Sequence, residues 1–227
     1  MGIWFWFVLA IGFFAFITII RKWHDNAMLY TLAIGFAINA NIFHAFSAPI
    51  YAGALMFSID SILYTGFMFC VVISAIEYGT RNAKILTSST IAAILLSAAI
   101  EFLARTSSTG YQTQYLTNFF SYFFSAVGTF AGVWIMLFAF EKLKNKKVNI
   151  YLNITICILI SSIINSSIFY VFTILTTGLI DNLIYILIGS YIGKIFCIGL
   201  CTISYFISSH YFIPKGLEEK YKKNKRT

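Results

Sequence analysis

The chain has 227 residues, of which 59% are hydrophobic and 11% are charged, and its mean hydropathy is +0.83. Soluble domains carry charge on about 25% of their residues, so this composition excludes an ordinary water-soluble enzyme or binding module. The formal charge of +8 does not indicate nucleic-acid binding, because nearly all basic residues lie in loops and in the C-terminal tail. In such places basic residues set the orientation of membrane helices.

Apolar runs recur along the chain, each about 20 residues long, which is the length that an α-helix needs to cross a bilayer. Lipid offers no partner to free backbone groups, so these runs are predicted to be helical. The first run is followed by basic residues rather than preceded by them, which predicts a retained helix and not a cleaved signal. Seven helices are predicted, over residues 3–20, 27–46, 60–77, 84–104, 115–140, 149–172 and about 181–210.

The fold class predicted from this pattern is an all-α integral membrane bundle of seven transmembrane helices. It comprises residues 1–213, and a basic cytoplasmic tail follows over residues 214–227. The segment between the second and third helices, Pro49–Ile59, is apolar but too short to cross the bilayer. It is predicted to be a re-entrant or interfacial segment.

The distribution of basic residues predicts the orientation of the bundle. One side receives the first, third and fifth connections and the tail, whose basic residues are Arg21, Lys22, Arg81, Lys84, Lys142, Lys144, Lys146, Lys147, Lys215, Lys220, Lys222, Lys223, Lys225 and Arg226. The other side has Arg105. By the positive-inside rule the N-terminus lies outside and the C-terminus in the cytoplasm. The protein is therefore predicted to be a multi-pass protein of the cell (cytoplasmic or inner) membrane, with the lipid bilayer as its first partner.

Lys194 lies within the last apolar run. A lysine at bilayer depth costs roughly 2.5–3.5 kcal/mol on insertion scales, so the fold has to satisfy it or use it. Ser190 precedes it by four residues and shares its helix face. We predict that Lys194 points at a ligand in a central cavity; the alternative is an ammonium that is hydrogen-bonded to serine, asparagine and carbonyl groups and only supports packing.

The sixth helix carries a stripe of hydroxyl and amide groups that includes Ser161 and Asn165. Counting 1.5 Å per residue along each helix brings Asn165 to about the depth of Lys194. We therefore predict a substrate site between helices 2, 6 and 7 that contains Lys194, Asn165, Asn41, Ser161, Ser190 and Phe169. The same counting predicts no carboxylate at the depth of Lys194. The alternative for the stripe is interhelical packing, for which polar contacts in membranes serve freely.

Other polar residues lie near the predicted outer ends of the helices. His44, Asp60 and Glu101 are predicted to line an outer vestibule, and the alternative is that they only cap helix ends.

The pairs Gly128/Gly132 and Gly189/Gly193 are predicted to let helices pack closely. The four cysteines lie in apolar runs and are predicted to be small buried residues. No motif for a metal, a phosphate or paired-carboxylate catalysis is found, so no enzyme activity, cofactor, metal or nucleic-acid partner is predicted.

Several short motifs resemble a known transporter family. They are Ala40–Ile42, the run Glu77–Lys84, the serine-rich sixth helix and Tyr191–Lys194. In order and spacing they resemble the vitamin uptake transporter family, which includes the queuosine precursor transporters. The resemblance implies uptake of a small heterocycle such as a deazapurine base. Asn165 stands where family members carry Asp, and Val72 and Ile76 stand where they carry Asp and Glu.

Two alternatives from other classes stay open. Seven helices, an outside N-terminus, this length and a lysine in the last helix also resemble microbial rhodopsins, in which that lysine forms a Schiff base with retinal. Ser190 in place of Asp, and a sixth helix without Trp or Pro, depart from that pattern. So does the expected lack of an acid in the middle of the third helix. The other alternative is a non-transporting subunit that binds a ligand, regulates another protein or docks on an energising partner, and the sequence leaves a homo-oligomer open as well.

Overall fold

The computed structural model describes residues 3–20, 26–46, 50–52, 55–109, 113–177 and 183–211. These residues form seven helices and two short strands. In chain order they are α1 (Ile3–Ile20), α2 (Asn26–Phe46), β1 (Ile50–Ala52), β2 (Leu55–Phe57), α3 (Ile59–Glu77), α4 (Thr80–Thr109), α5 (Thr113–Asn145), α6 (Ile150–Thr177) and α7 (Leu183–Tyr211). The predicted basic tail, 214–227, lies outside the described residues.

Within the described residues, six helices are long and apolar enough to cross a membrane, and the apolar part of α2, Ala27–Ala40, is shorter. A helix needs about 20 apolar residues to cross the hydrocarbon core. The protein is therefore a multi-pass helical membrane protein, as its composition predicted. The seventh crossing and the orientation of the termini stay predictions.

Side-chain contacts give the helices alternating directions. Thr155 of α6 is hydrogen-bonded to Thr202 of α7 near one end (2.9 Å), and Lys194 of α7 donates to Ser166 of α6 towards the other. These two helices are therefore antiparallel. Short turns join α3 to α4 and α5 to α6 at one end of the bundle, which we call the turn end. At the first of these turns Gly79 has φ +91°, a conformation that glycine adopts without strain.

Helix α3 lies at the centre of the bundle and packs against α1, α2, α4, α6 and α7. Its side chains from Ser61 to Ala75 are buried, with Leu63 partly so. A helix that is apolar on all sides suits either a protein interior or lipid, and the burial of α3 shows that other helices surround it. The central helix therefore presents its few polar groups to neighbouring helices rather than to lipid.

The segment that precedes α3 is a β-hairpin, in which Ile50 pairs with Phe57 and Ala52 with Leu55. The bundle itself is helical, as predicted, and the segment predicted to be re-entrant or interfacial pairs its backbone groups in this hairpin. Strand β2 packs against α7, and a Cβ at Gly193 would lie 3.4 Å from the Phe57 ring. As a result α3 begins beside Gly193, ten residues into α7, and not beside the first turn of α7.

Small residues allow close helix contacts. A Cβ added to Gly132 of α5 would lie 2.9 Å from the backbone oxygen of Ser161, and one added to Gly128 would lie 2.6 Å from the side-chain oxygen of Asn165. Both glycines of this predicted packing motif therefore face α6, and the packing prediction is confirmed for this pair. All four cysteines are buried and free, as predicted.

Candidate functional site

Lys194 is buried between α7 and α6, with 7% of its surface exposed. Its Nζ donates a hydrogen bond to the hydroxyl of Ser166. An amine in the bilayer interior needs such partners because lipid supplies none. The described contacts of Lys194 are made within the bundle and not with a membrane surface.

A carboxylate lies within electrostatic range of this amine. Asp60, in the first turn of α3, interacts through its charge with Lys194. Both residues lie about 25 Å from the turn-end termini of their helices, at 1.5 Å per residue. The prediction that no carboxylate lies at this depth is therefore wrong. It assumed that α3 begins at the membrane surface, whereas the hairpin starts it within the bundle.

Two further polar side chains complete this cluster. The hydroxyl of Tyr170 on α6 faces Ser190 on α7, and Tyr170 also lies within electrostatic range of Asp60. We call Asp60, Ser166, Tyr170, Ser190 and Lys194 the lysine site. Three helices contribute to it, so its geometry depends on how α3, α6 and α7 pack.

Tyr64 adjoins the lysine site on the side of α5. Lys194 Nζ lies 5.7 Å from the centre of the Tyr64 ring, at the outer limit of a cation–π contact. The Tyr64 hydroxyl reaches towards Ser161 of α6 and Thr129 of α5 but has no hydrogen bond of ordinary geometry among the described residues. Ser161 instead donates to the sulfur of Met68 at 3.1 Å. The tyrosine therefore extends from the lysine to the α5–α6 contact.

Asn165 was predicted to be the neighbour of Lys194 on α6, but Ser166 is the residue of α6 that contacts it. Consecutive residues of a helix point about 100° apart, so agreement in depth does not fix which of the two faces α7. The side-chain oxygen of Asn165 packs over Gly128 of α5. Within the described residues this oxygen and the hydroxyl of Ser162 are buried without a hydrogen-bond partner.

The other predicted site residues divide into four groups. Ser190 and Asp60 belong to the lysine site, although Asp60 was predicted to line the vestibule. Phe169 is partly buried and contacts the ring of Tyr170, with centroids 6.1 Å apart. Glu101 accepts a hydrogen bond from Tyr122 across the α4–α5 contact at 2.9 Å. The side chains of Asn41 and His44 lie outside the described residues.

Sequence reasoning missed Tyr64, Ser166 and Tyr170, although a signal for them exists. Three apolar helices each carry two polar or tyrosine residues four apart: Asp60/Tyr64, Ser166/Tyr170 and Ser190/Lys194. Residues at this spacing share one helix face. These three pairs face one another in the structure.

The lysine site has the groups needed to bind a carbonyl ligand covalently. A primary amine can form a covalent bond with a carbonyl ligand, and a nearby carboxylate can balance the positive charge. No group of three side chains suited to a metal ion is found among the described residues. Comparison with protein-family models, with curated proteins and with solved structures gives no match.

Proposed function

We propose that the protein is a retinal-type chromophore protein of the membrane, in which Lys194 carries the ligand and Asp60 provides the counter-charge. The observation that carries this proposal is a buried lysine of the last helix with a carboxylate of the third helix in electrostatic range. The sequence resembles microbial rhodopsins in helix number, an outside N-terminus, length and the lysine of the last helix. One of the three departures from that pattern was the expected lack of an acid in the middle of helix three, and the position of Asp60 speaks against that departure. Ser190 in place of Asp and a sixth helix without Trp or Pro still depart from it.

The residues present suit such a group. Lys194 would hold a retinal-type aldehyde through its amine, with release of one water, and the attached group would supply absorption of visible light. The lysine nitrogen would carry one positive charge before and after attachment, so Asp60 would face a cation in both states. A buried cation without a counter-charge would be costly. Ser166 accepts a hydrogen bond from Lys194 Nζ and orients this nitrogen.

Ser190 stands where the rhodopsin pattern has a second acid. The hydroxyl of Tyr170 faces Ser190 and lies within range of Asp60. With a hydroxyl pair at this position, Asp60 is the carboxylate that the described part of the chain places in electrostatic range of the lysine. The chromophore's absorption should therefore depend strongly on Asp60.

The test is to add retinal to the purified protein and record its visible spectrum. We expect an absorption band at longer wavelength than that of free retinal. This band should be absent in Lys194→Ala, and the wavelength of its maximum should change in Asp60→Asn. Lys142→Ala is a matched control, because Lys142 lies over the Phe138 ring at the turn end. The proposal fails if the wild-type protein and Lys194→Ala give the same spectrum.

Uptake of a small heterocycle is the second candidate, and a separate observation favours it. The buried oxygens of Asn165 and Ser162 have no hydrogen-bond partner among the described residues, and a polar ligand would satisfy them. With Lys194, Ser161, Ser190, Phe169 and Asn41 they would form the site between helices 2, 6 and 7. Uptake of a queuosine precursor into liposomes, lost in Asn165→Leu, would support this function. Uptake that is unchanged in Asn165→Leu and Lys194→Ala would remove both residues from the site.

A further inference from the structure

We infer that Tyr64 occupies the space that a ligand attached to Lys194 would take, and that its side chain has to swing aside before a long ligand can enter. This inference rests on the proposed attachment at Lys194. It assigns to Tyr64 the selection of ligands by length, a role separate from attachment and from charge balance.

The position of Tyr64 is the first support. Its ring lies 5.7 Å from Lys194 Nζ, and its hydroxyl reaches Thr129 and Ser161. The side chain therefore fills the path from the amine to the α5–α6 contact. Its ring is also packed against Phe67, with centroids 6.2 Å apart. A long ligand that leaves Lys194 in this direction meets the Tyr64 ring first.

Beyond Tyr64, at the contact between α5 and α6, the way is closed by backbone atoms rather than by movable side chains. At Gly132 an added Cβ would come within 2.9 Å of the Ser161 backbone oxygen. Helices in such close contact leave no space for a ligand between them. A long ligand that extends from Lys194 towards α5 therefore cannot pass between α5 and α6 and would have to take the place of the Tyr64 ring.

Tyr64 is also weakly held by hydrogen bonding. Its hydroxyl is buried without a hydrogen bond of ordinary geometry among the described residues, while Ser161 donates to Met68 instead. Trp6 gives a contrast within the same bundle, because its Nε1 donates to the Ser58 carbonyl oxygen at 3.0 Å. Moving Trp6 would break a hydrogen bond, whereas moving Tyr64 breaks none of comparable geometry. No hydrogen bond of ordinary geometry among the described residues therefore opposes displacement of Tyr64 by a ligand.

The experiment compares the wild-type protein with Tyr64→Ala, Tyr64→Leu and Tyr64→Phe. Each is mixed with retinal or with 3-methylbut-2-enal, a short aldehyde of the same unsaturated type. Borohydride reduction then traps the adduct, and mass spectrometry measures its amount at Lys194 over time. Melting temperatures verify that each variant is folded, and Tyr64→Leu serves if Tyr64→Ala is not.

We expect retinal to attach about tenfold faster in Tyr64→Ala or Tyr64→Leu, because the barrier of moving the ring is gone. Tyr64→Phe keeps the ring and should react like the wild type. The short aldehyde should attach at the same rate in all four proteins, which a general loosening of the fold would not produce.

Other outcomes separate the two proposals. Equal rates of retinal attachment in the wild type and in Tyr64→Ala would overturn the role of Tyr64 and leave attachment at Lys194 intact. Equal acceleration with both aldehydes would overturn selection by length. No adduct at Lys194 with either aldehyde in any variant would overturn the proposed function and, with it, this inference.

Discussion

At the scale of single residues, Lys194 is buried, and Asp60 lies within electrostatic range of it. A lone buried charge is costly, and an opposite charge in range lowers that cost. Ser166 contributes a hydrogen bond to the same nitrogen. The two charges therefore depend on each other, and removal of one should harm the fold more than removal of both.

This dependence gives a prediction for stability. Lys194→Met leaves the Asp60 carboxylate without its ammonium, and we expect a loss of about 1–3 kcal/mol in the free energy of unfolding. The double variant Lys194→Met with Asp60→Asn should recover most of this loss, because neither charge then remains. Thermal unfolding in detergent measures both. Additive effects of the two substitutions would show that these charges are not coupled.

The sequence predicted the importance of Lys194 but not its partner. A lysine within an apolar run is visible in any hydropathy plot, whereas the depth of Asp60 depends on where α3 begins. That point is set by the hairpin, whose strand β2 packs against α7. Contacts of this kind join segments far apart in the chain, and no local pattern encodes them. The choice of Ser166 over Asn165 likewise depends on how α6 is rotated about its axis.

At the scale of elements, the contact between α5 and α6 is the clearest case of close packing. Gly132→Ala would place a methyl group against the Ser161 backbone, which cannot move aside, and we expect a loss of about 1–3 kcal/mol in stability. Gly128→Ala meets the Asn165 side chain, which can rotate, so its effect should be smaller. Gly199→Ala is the matched control, because nothing lies within 4 Å of a Cβ added there.

Unfolding of the three variants in the same detergent measures this order of effects. Equal stability of Gly132→Ala and Gly199→Ala would contradict close backbone contact at Gly132. These stability measurements also bear on the Tyr64 inference, because that inference assumes that the gap between α5 and α6 is too narrow for a ligand.

The helices themselves were predictable because their signal is local. Apolar length and charged boundaries predicted α1 at Ile3–Ile20 and α3 to within one residue of its observed ends. The predicted ends of α4, α5 and α6 fall short by up to several residues, since these helices continue past their apolar parts. The extension of α4 includes polar residues such as Thr106, whose Oγ1 donates to the Phe102 oxygen of the same helix at 2.7 Å. Hydropathy alone does not detect such extensions.

At the scale of the whole molecule, the basic side chains gather where the short turns lie. Lys84 at the start of α4 lies over the Trp134 ring of α5 at 5.2 Å, and Lys142 lies over the Phe138 ring at 4.4 Å. Lysines beside aromatic rings are typical of the membrane interface. We therefore expect the turn end to face the cytoplasm.

This orientation can be tested with single cysteines, because all four native cysteines are buried and give little background labelling. Lys146→Cys marks the turn between α5 and α6, and Ser107→Cys marks the opposite end of α4; both positions are exposed. In intact cells a membrane-impermeant maleimide should label Ser107→Cys but not Lys146→Cys, and Lys146→Cys should react once the membrane is opened. The unsubstituted protein is the control. Labelling of Lys146→Cys in intact cells would reverse the predicted orientation and place the first turn of α3 nearer the cytoplasmic surface than its last.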